Sequence, residues 1–326
     1  MKKVLKIVGI LVVILFVGIG IFAAYLKLAF PKVGEASDIK INSTPELVKR
    51  GEYLALHVAA CVDCHSTRDW NYFSGPLKPG TEGKGGEEFT AKYGFPGDFY
   101  ARNITPAGIG SWTDGEVYRA ITCGVSKNGE PFFPVMPYPN YSKMDQEDVK
   151  SIIAYLRTLK PVENVIPASV PSFPMNLILR TIPKPAEPQK CPSPSDELAY
   201  GKYIFTIASC DGCHTPQEKG KAIPGKELAG GFEFPLPYGG VVRSANITPD
   251  NETGIGSLTK GDFIRKFKTY NTAEAVKMPV QKGAYNTVMP WTMYAGMTEE
   301  DLGALYTYLR SLPPIKNEVV KFTPAN

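Results

Sequence analysis

Cys61-Val62-Asp63-Cys64-His65 and Cys210-Asp211-Gly212-Cys213-His214 are two copies of one pattern, Cys-x-x-Cys-His. The pattern is the attachment signature of a c-type haem. The chemistry explains the spacing. Two thiols must each add to a vinyl group of one porphyrin, and three residues apart they share one side of a short helical turn. The adjacent histidine then offers its imidazole to the iron from the proximal side. Cys61, Cys64 and His65, with Cys210, Cys213 and His214, are therefore candidates to hold two covalently bound haem c groups. Two other chemistries use Cys-x-x-Cys. A zinc site needs a second pair about 15–20 residues on, and these pairs lie much further apart. A redox dithiol of the thioredoxin type needs a βαβ context, which the flanking sequence does not offer.

The histidine count narrows the iron chemistry further. The chain has 3 histidines in 326 residues, so once His65 and His214 are committed only His57 remains. Bis-histidine ligation of both irons within one chain is excluded. His57 lies one helical turn before Cys61, on the proximal side, and reads as a packed or half-exposed helix residue. Of the 6 cysteines, Cys123 and Cys191 remain. They read as ordinary small residues, with a disulfide as the alternative in an oxidising compartment. The net charge of +4 is mild and gives no electrostatic footprint for nucleic acid. A hydrophobic content of 43% suffices for packed cores.

Ile7 to Leu26 runs without a charge behind Lys2, Lys3 and Lys6. As a helix it would be roughly 30 Å long, the thickness of a bilayer core. A cleaved signal peptide is the alternative, but its apolar region is usually about 7–15 residues, and no clean small-x-small site follows here. Residues 1–30 are read as an uncleaved transmembrane anchor. The leading lysines keep the N-terminus cytoplasmic, so the rest of the chain lies on the periplasmic side of the inner membrane.

The remainder is a duplication. Asn103-Ile104-Thr105-Pro106 and Gly108-Ile109-Gly110-Ser111 return as Asn246-Ile247-Thr248-Pro249 and Gly254-Ile255-Gly256-Ser257. Repetition at this long period means duplicated domains rather than a solenoid. The boundaries fall at 44–160 and 195–313, joined by a linker at 161–194 that carries nine prolines. Phe173, Met175, Leu177, Ile178 and Leu179 in that linker need burial, so it should wrap a domain. Phe73 to Gly97 reads as an irregular loop over the haem.

Each domain offers two methionines as sixth ligand. Met144 and Met297 precede N-cap positions, with Val149 and Leu302 placed to complete hydrophobic staples, and are structural. Met136 and Met289 sit before proline in irregular loops, where a thioether can face a metal, and are the candidate axial ligands. Val149, Ile152, Ile153, Leu156 and Leu159 form one helical stripe, and Leu302, Leu305, Tyr306, Leu309 and Leu312 the other. Thr44-Pro45-Glu46 marks the start of the first domain's opening helix.

These words together resemble the membrane-bound cytochrome c subunits of bacterial periplasmic alcohol, aldehyde and gluconate dehydrogenases. The shared pieces are Cys-x-x-Cys-His, Asn-Ile-Thr-Pro, Gly-Ile-Gly-x-Trp, Met-Pro-Tyr and the closing Tyr-Leu-Arg helix, across both domains. The resemblance implies an all-α fold of two tandem class I-like cytochrome c domains behind one N-terminal transmembrane helix. It implies His65 and Met136 on one iron and His214 and Met289 on the other. It implies an electron relay to a redox partner: a dehydrogenase subunit, a quinol-oxidising complex or a terminal oxidase. Such relatives often carry three haems, whereas two sites stand here. Leu258 replaces the tryptophan found at 112, and Tyr270 to Thr287 looks like an insertion. The rival reading is a dihaem enzyme, of peroxidase or thiosulfate dehydrogenase type, with one labile or open haem; Cys123 would be its alternative ligand.

Overall fold

A computed structural model describes residues 1–325. The first helix, α1 (Lys2–Ala29), is long and apolar enough to cross a membrane. α2 (Pro45–Tyr53) starts where Thr44 accepts a hydrogen bond from Leu47 N, with Pro45 at the first helical position. Its backbone then widens into a π turn, Leu54–Val58, before the one-turn α3 (Cys61–Cys64). α4 (Asp114–Cys123) opens on a capping box of Thr113 and Glu116. α5 (Gln146–Leu156) is capped by Asp145, and the linker holds the short α6 (Met175–Ile178). The same order then recurs. α7 (Glu197–Ile207) leads into α8 (Cys210–His214). α9 (Lys260–Lys268) opens on a capping box of Thr259 and Asp262, and α10 (Glu299–Arg310) is capped by Thr298.

The two copies differ at the π turn for a reason visible in the chain. Gly51 to Cys61 is one residue longer than Gly201 to Cys210. The π turn absorbs the extra residue without moving the cysteines, as such bulges do.

In each half the opening helix crosses the closing one at a glycine. α2 packs on α5 and α7 on α10. A Cβ added to Gly51 would sit 1.7 Å from Ser151 O, and one added to Gly201 would sit 2.0 Å from Ala304 O. Around these crossings the anticipated stripes are buried: Val149, Ile152, Ile153 and Leu156 on α5, and Leu302, Leu305 and Leu309 on α10. Met144 and Met297 are fully buried beneath the caps.

The halves meet across a seam of tyrosines and carboxylates with approximate two-fold symmetry. Tyr203 Oη donates to Asp148 at 2.6 Å, and Tyr53 Oη donates to Asp301. The same hydroxyls accept from the backbone of the opposite half, from Asp145 N at 3.1 Å and Thr298 N at 3.0 Å. Within the halves, Arg50 forks onto Asp148 and Tyr200 donates to Asp301. Each half thus lends a tyrosine to the N-terminus of the other's closing helix.

Three small antiparallel sheets correct the all-α expectation. Glu88–Phe89 pairs with Gly97–Tyr100, which in turn pairs with Val170–Pro171 of the linker. Glu233–Pro235, Val241–Arg243 and Phe322–Thr323 form the second sheet, and Gln217–Glu218 with Lys221–Ala222 a hairpin. The Phe73–Gly97 stretch is therefore partly regular. Its strands are two to four residues long, too short to leave a period in the sequence. The linker does wrap the first half, but its apolar residues are not all covered. Leu179 is buried, whereas Phe173 is 81% and Ile178 46% exposed. The Tyr270–Thr287 stretch reaches back as a strap: Phe73 N donates to Met278 O and Val280 N to Asn71 O, both at 2.8 Å.

Two glycines give opposite expectations. Gly201→Ala forces a methyl into the Ala304 carbonyl and should cost about 3 kcal/mol in urea unfolding. Gly303→Ala, whose Cβ meets nothing closer than 3.6 Å, should gain about 0.5–1 kcal/mol by helix propensity. Equal effects would refute the close crossing.

Candidate haem sites

Each Cys-x-x-Cys-His turn begins at a residue in the left-handed region: Ala60 at φ 48° and Ser209 at φ 54°. Neither is glycine, so each costs about 1–2 kcal/mol. A tyrosine, buried in the first copy and half-buried in the second, holds the turn. Tyr141 Oη donates to Ala59 O at 2.8 Å, and Tyr294 Oη donates to Ala208 O at 3.0 Å. Their position relative to the closing helices is the same, which is the signal that finds them once the repeats are superposed.

All six cysteines are free, so Cys123 and Cys191 form no disulfide. Cys61, Cys64 and Cys210 are half-buried, and Cys213 is exposed. Burial pushes the Cys61 thiol up to about 12. Cys64 is raised by burial, then by Asp63, with Cys213 of the other copy also contributing. Asn140 Nδ2, beside the first site, donates to Asp211 Oδ1 of the second at 2.8 Å. Burial raises the Tyr294 hydroxyl most, followed by Cys210, Cys213, Asp63 and Cys64.

The histidines are oriented alike. His65 Nδ1 lies 2.6 Å from Arg102 O, and His214 Nδ1 lies 2.7 Å from Ala245 O. A carbonyl can only accept, so Nδ1 carries the proton and Nε2 keeps its lone pair for a metal. Burial lowers both imidazoles below their usual value, which favours the neutral, ligating form.

The carbonyl that does this immediately precedes Asn-Ile-Thr-Pro in each half. Asn103 Oδ1 accepts from Thr105 N and Thr105 Oγ1, and its Nδ2 donates to Val162 O. Asn246 Oδ1 accepts from Thr248 N and Thr248 Oγ1, and its Nδ2 donates to Ile315 O and Thr253 Oγ1. The motif thus ties the histidine's partner to the chain just beyond each closing helix. Sequence reading found the motif but not its task, because the working atom is backbone.

Met136 and Met289 are half-buried against the core in irregular loops, each followed by a one-turn helix, Tyr138–Tyr141 and Trp291–Tyr294. Ser74 of the first half reaches the second loop, its Oγ donating to Met289 O at 2.6 Å and accepting from Trp291 N at 2.9 Å. A further feature unread in the sequence is the buried pair of Arg68 and Asp63, 3.2 Å apart. Burial raises the Asp63 carboxyl and Arg68 opposes the rise. His57 is half-buried, its Nδ1 2.9 Å from Met293 O of the other half.

The residues fit a covalently bound haem. Free thiol pairs and a neutral imidazole with an unused Nε2 stand at each copy. Ser209 Oγ, next to the second motif, is buried without a partner. Among the described residues no three histidine, cysteine or acidic side chains converge as a zinc site requires.

Comparison with known proteins agrees. A family profile described as Cytochrome c matches residues 198–313. The chain is 30% identical to a diheme cytochrome c-type protein of Cereibacter sphaeroides, over 85% of this chain and 92% of that protein. It is also 30% identical to the cytochrome c subunit of a quinone alcohol dehydrogenase from Gluconacetobacter polyoxogenes, over 90% of this chain and 61% of the relative. A gluconate 2-dehydrogenase cytochrome c subunit from Pantoea cypripedii is 30% identical as well, over 82% of this chain and 59% of the relative. The chain belongs to the cytochrome c family. Covalently bound haem c is the cofactor this membership implies. The chain spans about three fifths of the length of the dehydrogenase subunits it matches.

Asn246→Leu takes the shared acceptor from Thr248 N and Thr248 Oγ1, a residue 1% exposed, and the 2.7 Å donor from the Ile315 carbonyl, which keeps only the 3.2 Å bond from Thr248 Oγ1. It should cost at least about 2 kcal/mol, read by denaturant unfolding. A cost within experimental error would show that the motif does not anchor the histidine's carbonyl.

Proposed function

We propose that this chain is a membrane-anchored dihaem cytochrome c that relays electrons from a dehydrogenase or quinol donor to a downstream acceptor. Residues 44–160 and 195–313 are its two class I-like cytochrome c domains, joined by the 161–194 linker. Cys61 and Cys64 form thioethers to one haem, and Cys210 and Cys213 to the other. His65 and Met136 complete the first coordination sphere, and His214 and Met289 the second. When bound, each haem supplies a one-electron iron couple, which methionine ligation shifts to higher potential.

The protein's part is positional. The Arg102 and Ala245 carbonyls hold His65 and His214 in the tautomer that ligates, Tyr141 and Tyr294 hold the turns that carry the cysteines, and the tyrosine–carboxylate seam holds one site against the other. With His65 and Met136 holding one haem and His214 and Met289 the other, neither site would leave room for a substrate, so the chain would be a carrier and not the catalyst. The carrying observation is that the histidine–carbonyl bond occurs twice, in equivalent places, on either side of one shared seam. Likeness to dehydrogenase cytochrome subunits makes a dehydrogenase the favoured partner. α1 anchors the chain through residues 7–26, with the haem domains on the periplasmic side of the inner membrane, where bacterial haem attachment takes place.

Haem content and ligation test this directly. Purified protein should carry two haems per chain, and Cys210→Ala with Cys213→Ala should carry one. The oxidised protein should show the weak far-red band of methionine-ligated ferric haem. Met136→Ala and Met289→Ala should each remove about half of it and admit an exogenous ligand. A high-spin or methionine-free haem in the unmodified protein would overturn the relay and call for peroxide and sulfur-compound turnover assays.

A further inference from the structure

The linker leaves a cluster of large apolar side chains in the open. Val170 is 63%, Phe173 81% and Ile178 46% exposed, and near the exit of α1, which packs on the same segment, Tyr25 is 52% and Leu28 86% exposed. Soluble surfaces tolerate such residues singly, but a contiguous patch marks an interaction site. What covers it follows from its neighbour. α1 packs against α6 and the 3-10 turn Leu179–Thr181 that follows it. Every residue of α1 from Lys2 to Phe22 is exposed, and the first partly covered ones are Ala23, Leu26 and Ala29. Their spacing puts them on one helical face.

Depth decides the meaning. Ala23 and Leu26 lie inside the apolar run that ends at Leu26. From Ala29 back to Ala23 is about 9 Å along the helix axis. Interfacial helices lie about 5–10 Å into the boundary between headgroups and acyl chains. The segment packs on α1, whose partly covered residues run from Ala29 back to Ala23, so it meets α1 at that boundary. Around the exit of α1, Tyr25 and Phe30 meet edge to face at 6.2 Å, and Lys32 Nζ stands 5.1 Å from the Phe30 ring. Aromatic rings and a lysine whose stem lies on them suit headgroup level.

We infer that Val170–Thr181 is a second membrane element, an interfacial segment whose Phe173 and Ile178 enter the outer leaflet beside the exit of α1. This rests on the proposal that α1 spans the bilayer. The contact with α1 would fix the tilt of the first cytochrome c domain on the membrane, because Val170–Pro171 is also a strand of its sheet, paired with Gly97–Asp98. The linker's uncovered apolar residues thus have lipid as their partner.

Cysteine accessibility tests this in the full-length holoprotein held in phosphatidylglycerol-containing nanodiscs, with Cys123→Ser and Cys191→Ser as background. Phe173→Cys, Ile178→Cys, Val12→Cys on α1 and Lys202→Cys at an exposed position of α7 are labelled with a charged, impermeant maleimide. A thiol in apolar surroundings forms little thiolate, so positions 173 and 178 should react roughly tenfold more slowly than position 202 and about as fast as it in denaturing detergent. Both residues are too exposed for the protein itself to shield them. If 173 and 178 label as fast as 202 while 12 stays protected, the segment faces water and the inference fails, with the anchor intact. If 12 labels as well, the anchor itself is refuted.

Discussion

The constraint on which everything else depends is the crossing of each opening helix with its closing helix at a glycine. Gly51 touches the Ser151 carbonyl and Gly201 the Ala304 carbonyl, closer than any Cβ allows. Only contact at backbone distance brings α5 and α10 near enough for their N-termini to serve as anchor points. From those N-termini the short chain back to Met136 or Met289 is determined, and so is the place of Tyr141 and Tyr294. These tyrosines grip the left-handed turns before the cysteines. Helix crossing, turn, thiols and thioether form one chain of dependence, made twice.

The seam between the halves draws on the same N-termini. Asp148 and Asp301 lie in the first turns of α5 and α10, where a carboxylate is favoured by the helix dipole. Each is 7% exposed or less, and such burial is costly unless the oxygens are bonded. Arg50 and Tyr203 satisfy Asp148, and Tyr200 and Tyr53 satisfy Asp301. One tyrosine of each set crosses from the other half. Separating the halves would strand a buried carboxylate and a buried hydroxyl on each side, so the relative placement of the two sites is built into the caps. A relay between fixed centres requires such rigidity, because electron transfer falls off with distance.

What was legible in the sequence is what side-chain type and spacing encode. The cysteines and histidines, the stripes of α5 and α10, the caps at Thr44, Asp145 and Thr298 and the buried Met144 and Met297 all carry period or pattern. The small sheets carry none. Glu88–Phe89 and Val170–Pro171 are too short for alternation to show, and they exist because neighbouring loops lie side by side. The Arg102 and Ala245 carbonyls were invisible because any residue supplies a carbonyl. The π turn was readable only by counting from Gly51 and Gly201 and noticing the odd residue.

The linker shows the limit of composition more sharply. Five apolar residues among prolines imply burial, and the sequence pattern cannot say by what. Leu179 found the protein interior, while Phe173 and Ile178 did not. The difference lies in register. Leu179 is 3% exposed, on a linker that Asn164 ties to the first half through Lys84 O and Gly85 O at 3.1 Å. Phe173 sits where the chain turns away to meet α1. A water-soluble domain would have replaced such residues with polar ones at no cost to its fold. Their exposure beside a bilayer-length helix is what the inferred contact with hydrocarbon would account for, and on that inference the linker's stiffness would transmit the plane of the membrane to the first half.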